Sequence, residues 1–142
     1  MTMEEFRILH SRLIMNMQRI ESELRHIYAA LKPGNFAENL EELERANLGQ
    51  ITKELKRVDE SDGIPDLTPM DYDLIDGIRE TRNYWCHQCY LDFVYMQDRK
   101  EKEEMFQCIA ARLRDDEERT YHLRKKLERI RQVKMRQFSR KG

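Results

Sequence analysis

An all-α fold, drawn as an antiparallel four-helix up-down bundle with a long C-terminal helix, is predicted by three observations. Charged residues make up 37% of the 142 positions, against a usual value of about 25%. Glu, Arg, Leu, Lys, Met and Gln abound while Val occurs three times; straight side chains of this kind lose little rotamer freedom in a helix. Glycine and proline are absent before Pro33 and again from Ile78 to Lys141, so the turn signals that a sheet needs at regular intervals are missing.

Each helix has its own justification. The first is predicted from about Glu4 to Leu31, because Phe6, Leu9, Leu13, Met17, Ile20, Leu24, Ile27 and Leu31 recur at steps of three and four, which lays one stripe down a helix. Lys32-Pro33-Gly34 ends it, since the residue before a proline is pushed out of helical geometry. A second helix is predicted over Phe36 to Val58, with Phe36, Leu40, Leu43, Asn47, Ile51, Leu55 and Val58 as its stripe and Gly49 as a position for close packing. Asp59 to Asp66 reads as a polar loop. Thr68-Pro69-Met70-Asp71 opens a third helix: Thr caps free amides, Pro fits the first turn and Asp three residues on completes a capping box. That helix carries Leu74, Ile75 and Ile78, with Gly77 as another close contact. No breaker follows, yet a compact domain cannot hold a helix of more than about 60 residues, so a break is expected between Arg82 and Asp98. The last helix then runs from near Asp98 to about Gln137, with Phe106, Ile109, Leu113, Thr120, Leu123, Leu127 and Ile130 as its stripe and Asp116 interrupting it. Short connections imply antiparallel neighbours in a single domain spanning 1–142.

Several classes are excluded. No apolar run approaches the ~20 residues that span a bilayer, so no membrane partner is expected. No basic segment precedes an apolar stretch at the N-terminus, so no signal peptide is read. Cys86, Cys89 and Cys108 make an odd count without an export signal, which reads as reduced thiols in the cytoplasm. The net charge of −1 hides an asymmetry. From Arg119 to Gly142 ten basic residues stand against the single acid Glu128, giving +9, and the preceding 118 residues carry −10. Clustered cations of this kind attract phosphates. A solvated helix face with a frayed tail explains the same charges.

The stretch Arg79-Glu80-Thr81-Arg82-Asn83-Tyr84-Trp85-Cys86-His87-Gln88-Cys89-Tyr90 is the richest in chemistry. Cys86 and Cys89 form a C-x-x-C pair, but a structural zinc needs four ligands and Cys108, His10, His26 and His122 are not at ligand spacing. No metal and no cofactor is therefore expected, and the two cysteines read as small buried helix residues. Tyr84, Trp85, Leu91, Phe93, Val94 and Tyr95 read as an aromatic and apolar core cluster, with His87 an interior or interface histidine.

A third reading takes Arg82-Asn83-Tyr84-Trp85-Cys86-His87 as R-N-x-x-x-H. An Arg–His pair at loose spacing is expected by chance about once in such a chain, whereas requiring Asn next lowers the expectation to about 0.05. In this hexapeptide, set in an all-helical chain, the sequence resembles the HEPN superfamily (higher eukaryotes and prokaryotes nucleotide-binding domains), whose signature is Arg, four to six residues, then His. The resemblance implies a HEPN-like bundle that forms a homodimer and cleaves RNA without a metal. His87 would act as acid/base, Arg82 as the phosphate and transition-state contact, and Asn83 would orient one of them or the substrate; the products carry 2′,3′-cyclic phosphate. Arg79, Lys125, Lys126 and Arg129 are the candidate RNA-contacting cations. RNA is the expected partner, with an antitoxin or another protein as a second, in a toxin–antitoxin or phage-defence setting. The alternative is a non-catalytic helical module whose stripes pair with a second copy or a partner helix.

Overall fold

A computed structural model describes residues 1–43, 48–61 and 67–141. The described residues hold helices and no strand: α1 (Met3–Leu31), α2 (Phe36–Leu43), α3 (Leu48–Ser61), α4 (Pro69–Asp76), α5 (Ile78–His87) and α6 (Arg99–Lys141). The all-α class predicted from composition is the class observed. No helix among these residues is long and apolar enough to cross a membrane.

The predicted second helix is thus described as two, α2 and α3, and Asn47 of its stripe lies outside the described residues. The polar loop starts later than expected, since Asp59 to Ser61 belong to α3; the rest of it, to Asp66, lies outside the described residues. The third helix is shorter than predicted. Its capping box forms as read: the Thr68 hydroxyl accepts from the Asp71 N–H at 3.2 Å and Asp71 Oδ2 accepts from the Thr68 N–H at 2.8 Å. The helix ends at Asp76, and Gly77 is its C-cap. Gly77 is not a point of close helix approach. A Cβ there would meet only carbonyls of its own helix, at 3.5 and 4.0 Å, in ordinary contact. Gly34 is the glycine whose conformation matters, with φ of 110° in the turn after α1, a region that side chains other than glycine rarely enter. Asn39 completes that turn by donating its Nδ2 hydrogens to the carbonyls of Ala29 and Lys32 at 3.3 and 3.2 Å, which satisfies acceptors left open at a helix end.

The expected break falls after His87. Residues 88–95 form turns, and α6 starts at Arg99, where the Asp98 carboxylate accepts the Glu101 N–H at 2.9 Å. That is an acidic N-cap.

Residue contacts group the chain into two compact units: Met1–Gln18 with Ile78–His122, and Arg19–Gly77 with Leu123–Gly142. In the first, Phe6, Leu13, Met17, Ile78, Trp85, Phe93, Phe106, Ile109 and Leu113 are buried. An aromatic cluster joins them. Phe6 lies 5.4 Å from Phe106, 5.6 Å from Tyr90 and 6.1 Å from Phe93, ring centre to ring centre, within the range where edge and tilted pairs attract. In the second unit Ile20, Leu24, Ile27, Leu43, Ile51, Leu55, Ile75, Leu123 and Leu127 are buried. Ala29, Leu43 and Ile51 form one cluster covered by Tyr28, Phe36 and Leu40. The predicted stripes of the first and last helices are therefore the buried faces, with Leu9, Leu31 and Ile130 half-buried at their margins.

The basic end of α6 is not uniformly solvated. Arg124 is buried and pairs with Glu128 at 2.8 Å, and Lys125 and Arg19 approach the same carboxylate at 3.7 and 3.8 Å. Lys126 pairs with Asp71 at 2.6 Å, and Arg131 pairs with Glu23.

Candidate functional site

Arg79, Arg82, Asn83 and His87 all lie on α5. The helix runs unbroken through them, so ordinary helix geometry fixes their directions. Residues five apart diverge by about 140°, and Arg82 and His87 therefore leave different faces: Arg82 is half-buried and His87 is exposed. Positions 79, 83 and 87 are each four apart, which keeps them within about 80° of one another over a rise of about 12 Å. Arg79, Asn83 and His87 are all exposed. One file on α5 thus carries a guanidinium, an amide and an imidazole, in that order. Lys125, Lys126 and Arg129 belong to the other unit. There Lys125 and Arg129 are exposed, and Lys126 is half-buried with its ammonium on Asp71.

The end of α5 is shaped by Trp85. Its ring is 1% exposed and its Nε1–H donates to Asp116 Oδ2 at 2.8 Å. Asp116, which interrupts the apolar stripe of α6 in the sequence, is there to receive that hydrogen. The last turn of α5 is wide: the N–H groups of Gln88 and Cys89 both donate to the Tyr84 carbonyl, at 2.9 and 3.0 Å. The Trp85 carbonyl, which Cys89 N–H would occupy in a continuing helix, instead accepts from His10 Nε2 at 2.6 Å and from the Cys89 thiol at 3.3 Å. Because a carbonyl only accepts, His10 carries its hydrogen on Nε2. Tyr84 donates its hydroxyl to Asp92 at 3.0 Å and lies beneath the Arg112 guanidinium, 4.1 Å from the ring centre, a cation–π contact. Burial, with the bond to Asp92, pushes the Tyr84 phenol up to about 12.

The aromatic and apolar segment is only partly core. Trp85 and Phe93 are buried and Tyr84 is half-buried, but Leu91, Val94 and Tyr95 are 51%, 41% and 77% exposed. They sit in the turns that follow α5, where no helical periodicity sorts side chains inward. His87 is likewise not an interior residue. The paired cysteines differ. Cys89 is buried, and that burial pushes its thiol up to about 11, whereas Cys86 is exposed, contrary to its reading as a small buried residue. Among the described residues no three His, Cys, Asp or Glu side chains are grouped so as to hold a metal ion.

Two contributors were not legible as such. His10 is 75 residues from Trp85 in sequence, and no local pattern announces it. Asp116 did carry a signal, an acid at a core position of a helix, which points to a buried donor opposite. No family model, curated protein or solved structure matches the chain.

Proposed function

We propose that this chain is a HEPN-like, homodimeric and cytoplasmic RNA-acting domain, a four-helix up-down bundle in its essentials, that cleaves RNA without a metal in a toxin–antitoxin or phage-defence setting. The observation that carries the proposal is the exposed file of Arg79, Asn83 and His87 on α5. RNA supplies its own nucleophile, so a site need only move protons and neutralise charge. In this reading the 2′-hydroxyl attacks phosphorus, its proton passes to the imidazole of one His87, and the bond from phosphorus to the 5′-oxygen breaks. The leaving oxygen takes a proton from the His87 of the second copy, which leaves a 2′,3′-cyclic phosphate and a free 5′-hydroxyl. Histidine suits this task because its ordinary pKa lies near neutrality, and a guanidinium suits the crowded negative charge of the transition state. On one helix Arg79 lies nearer than Arg82 to the direction of His87. Arg82 serves a phosphate through the facing copy. Asn83, between the two, orients the substrate. Lys125, Lys126 and Arg129 contribute sequence-independent attraction to phosphates.

The experiment is incubation of the purified chain with total RNA in EDTA beside the variants His87→Ala, Arg79→Ala and Arg82→Ala. Loss of His87 is expected to lower the cleavage rate by at least about 100-fold, the lower end of what general acid–base catalysis supplies. Equal cleavage by all four proteins, or none by the unaltered chain, refutes the proposal.

A second reading, a non-catalytic interaction module, is favoured by the exposure of Leu91, Val94 and Tyr95 beside the same helix end. It predicts a partner-dependent loss of their exposure and no cleavage.

A further inference from the structure

In the unit formed by Arg19–Gly77 with Leu123–Gly142, a cleft of about 500 Å³ is lined by residues of α3 and α4, among them Gly49, Thr52, Lys53, Lys56, Tyr72 and Asp76. Thr52 and Tyr72 are each 4% exposed and form its fixed wall. The Tyr72 hydroxyl donates to Asp59 Oδ2 at 2.8 Å. Asp59, itself buried, also accepts the Leu67 N–H at 3.4 Å, so the ring is held from behind. The Lys56 ammonium stands 5.4 Å from the centre of that ring.

The rim carries charges that no opposite charge of the protein matches among the described residues. Several cations of this unit are matched, as in Lys32–Glu42, Arg57–Glu54, Lys126–Asp71 and Arg131–Glu23. Lys53, Lys56 and Asp76 line the cleft, and none of the three enters an ion pair among the described residues. A gap bordered by two ammonium groups and one carboxylate selects a ligand with two different ends. Lys53 and Lys56, three positions apart on α3, ask for an anion of more than one charge; a phosphomonoester near neutrality satisfies two ammonium groups where a carboxylate neutralises one. Asp76 repels a second anionic end and accepts from hydroxyl groups. The size lies within the usual range of small-ligand sites, about 300–1,000 Å³.

From these features we propose that the cleft binds a small sugar phosphate, with the phosphate on Lys53 and Lys56 and the sugar hydroxyls on Asp76. The site uses no residue of α5 and does not depend on the RNA reading.

Isothermal titration of the full chain with ribose 5-phosphate, ribose and inorganic phosphate tests it. Ribose 5-phosphate binds saturably, and ribose and phosphate each bind at least about tenfold more weakly, the loss expected when one charge-assisted contact of about 1.4 kcal/mol is missing. Lys53→Gln and Lys56→Gln each weaken ribose 5-phosphate by a similar factor, while Asp76→Asn narrows the gap between ribose 5-phosphate and phosphate. Both lysines are exposed and glutamine is nearly as good a helix former as lysine, so far-UV circular dichroism stays unchanged. Absence of saturable binding overturns the proposal. So does equal affinity for phosphate and ribose 5-phosphate, or binding indifferent to both lysine variants.

Discussion

Removing the acceptor of the buried indole is the sharpest test of the packing described for the first unit. In Asp116→Ala the Trp85 Nε1–H, on a ring 1% exposed, loses a charged partner at 2.8 Å. A hydrogen bond to a charged group contributes about 1.5–3 kcal/mol, and a buried donor left unpaired costs about 1–3 kcal/mol. The two describe the same event from opposite sides and are not added, so the expected destabilisation is about 2 kcal/mol. With a urea slope near 2 kcal/mol per M, the unfolding midpoint falls by about 1 M. Trp85 is the sole tryptophan of the chain, so its fluorescence reports unfolding at the altered contact itself. Asp116→Asn keeps an acceptor oxygen but removes its charge, and its loss is expected to be about half as large. A midpoint for Asp116→Ala within about 0.25 M of the unaltered protein, equivalent at that slope to the roughly 0.5 kcal/mol scatter of ordinary surface substitutions, would falsify the assignment of Asp116 as the structural partner of Trp85.

Two further predictions concern titration and reactivity. In the folded chain a thiol reagent is expected to modify Cys86 and Cys108, which are exposed, and to reach Cys89, buried with its thiol raised to about 11, only on denaturation; mass spectrometry showing three equal rates contradicts this. Tyr84 is expected to ionise near pH 12 rather than 10, seen as the phenolate absorbance missing from Tyr84→Phe. Its folded pKa is raised, so the stability linked to it is fully present below pH 10 and is lost as pH rises through 12; urea midpoints of the unaltered chain falling no further than those of Tyr84→Phe over that interval would count against it.

Much of the fold was legible because its signals are local. The stripe from Phe6 to Ile27 obeys one period along one helix, and the box of Thr68 and Asp71 needs four consecutive residues, so both could be read without a partner. The end of α5 was different. No glycine or proline marks it; the helix stops where the Trp85 carbonyl turns to His10 and the Cys89 thiol, and His10 is supplied from α1. The exposure of Leu91, Val94 and Tyr95 was hidden for a related reason, since periodicity sorts side chains only while the helix lasts. On the candidate site, spacing alone already implied that Arg82 and His87 diverge on an unbroken helix. It could equally have implied the Arg79–Asn83–His87 file, because three residues joined by two steps of four share a face wherever the helix is continuous. The cleft between α3 and α4 had no such signal, as it depends on two helices meeting.

The contacts of Asp59 bear on how the chain could change over time. By accepting from Leu67 N–H and from the Tyr72 hydroxyl, its carboxylate ties the end of α3 to the start of α4. One side chain therefore holds two helix ends, and a sequence that lost Asp59 would have to replace both contacts at once, so positions 59 and 72 are expected to change together or not at all.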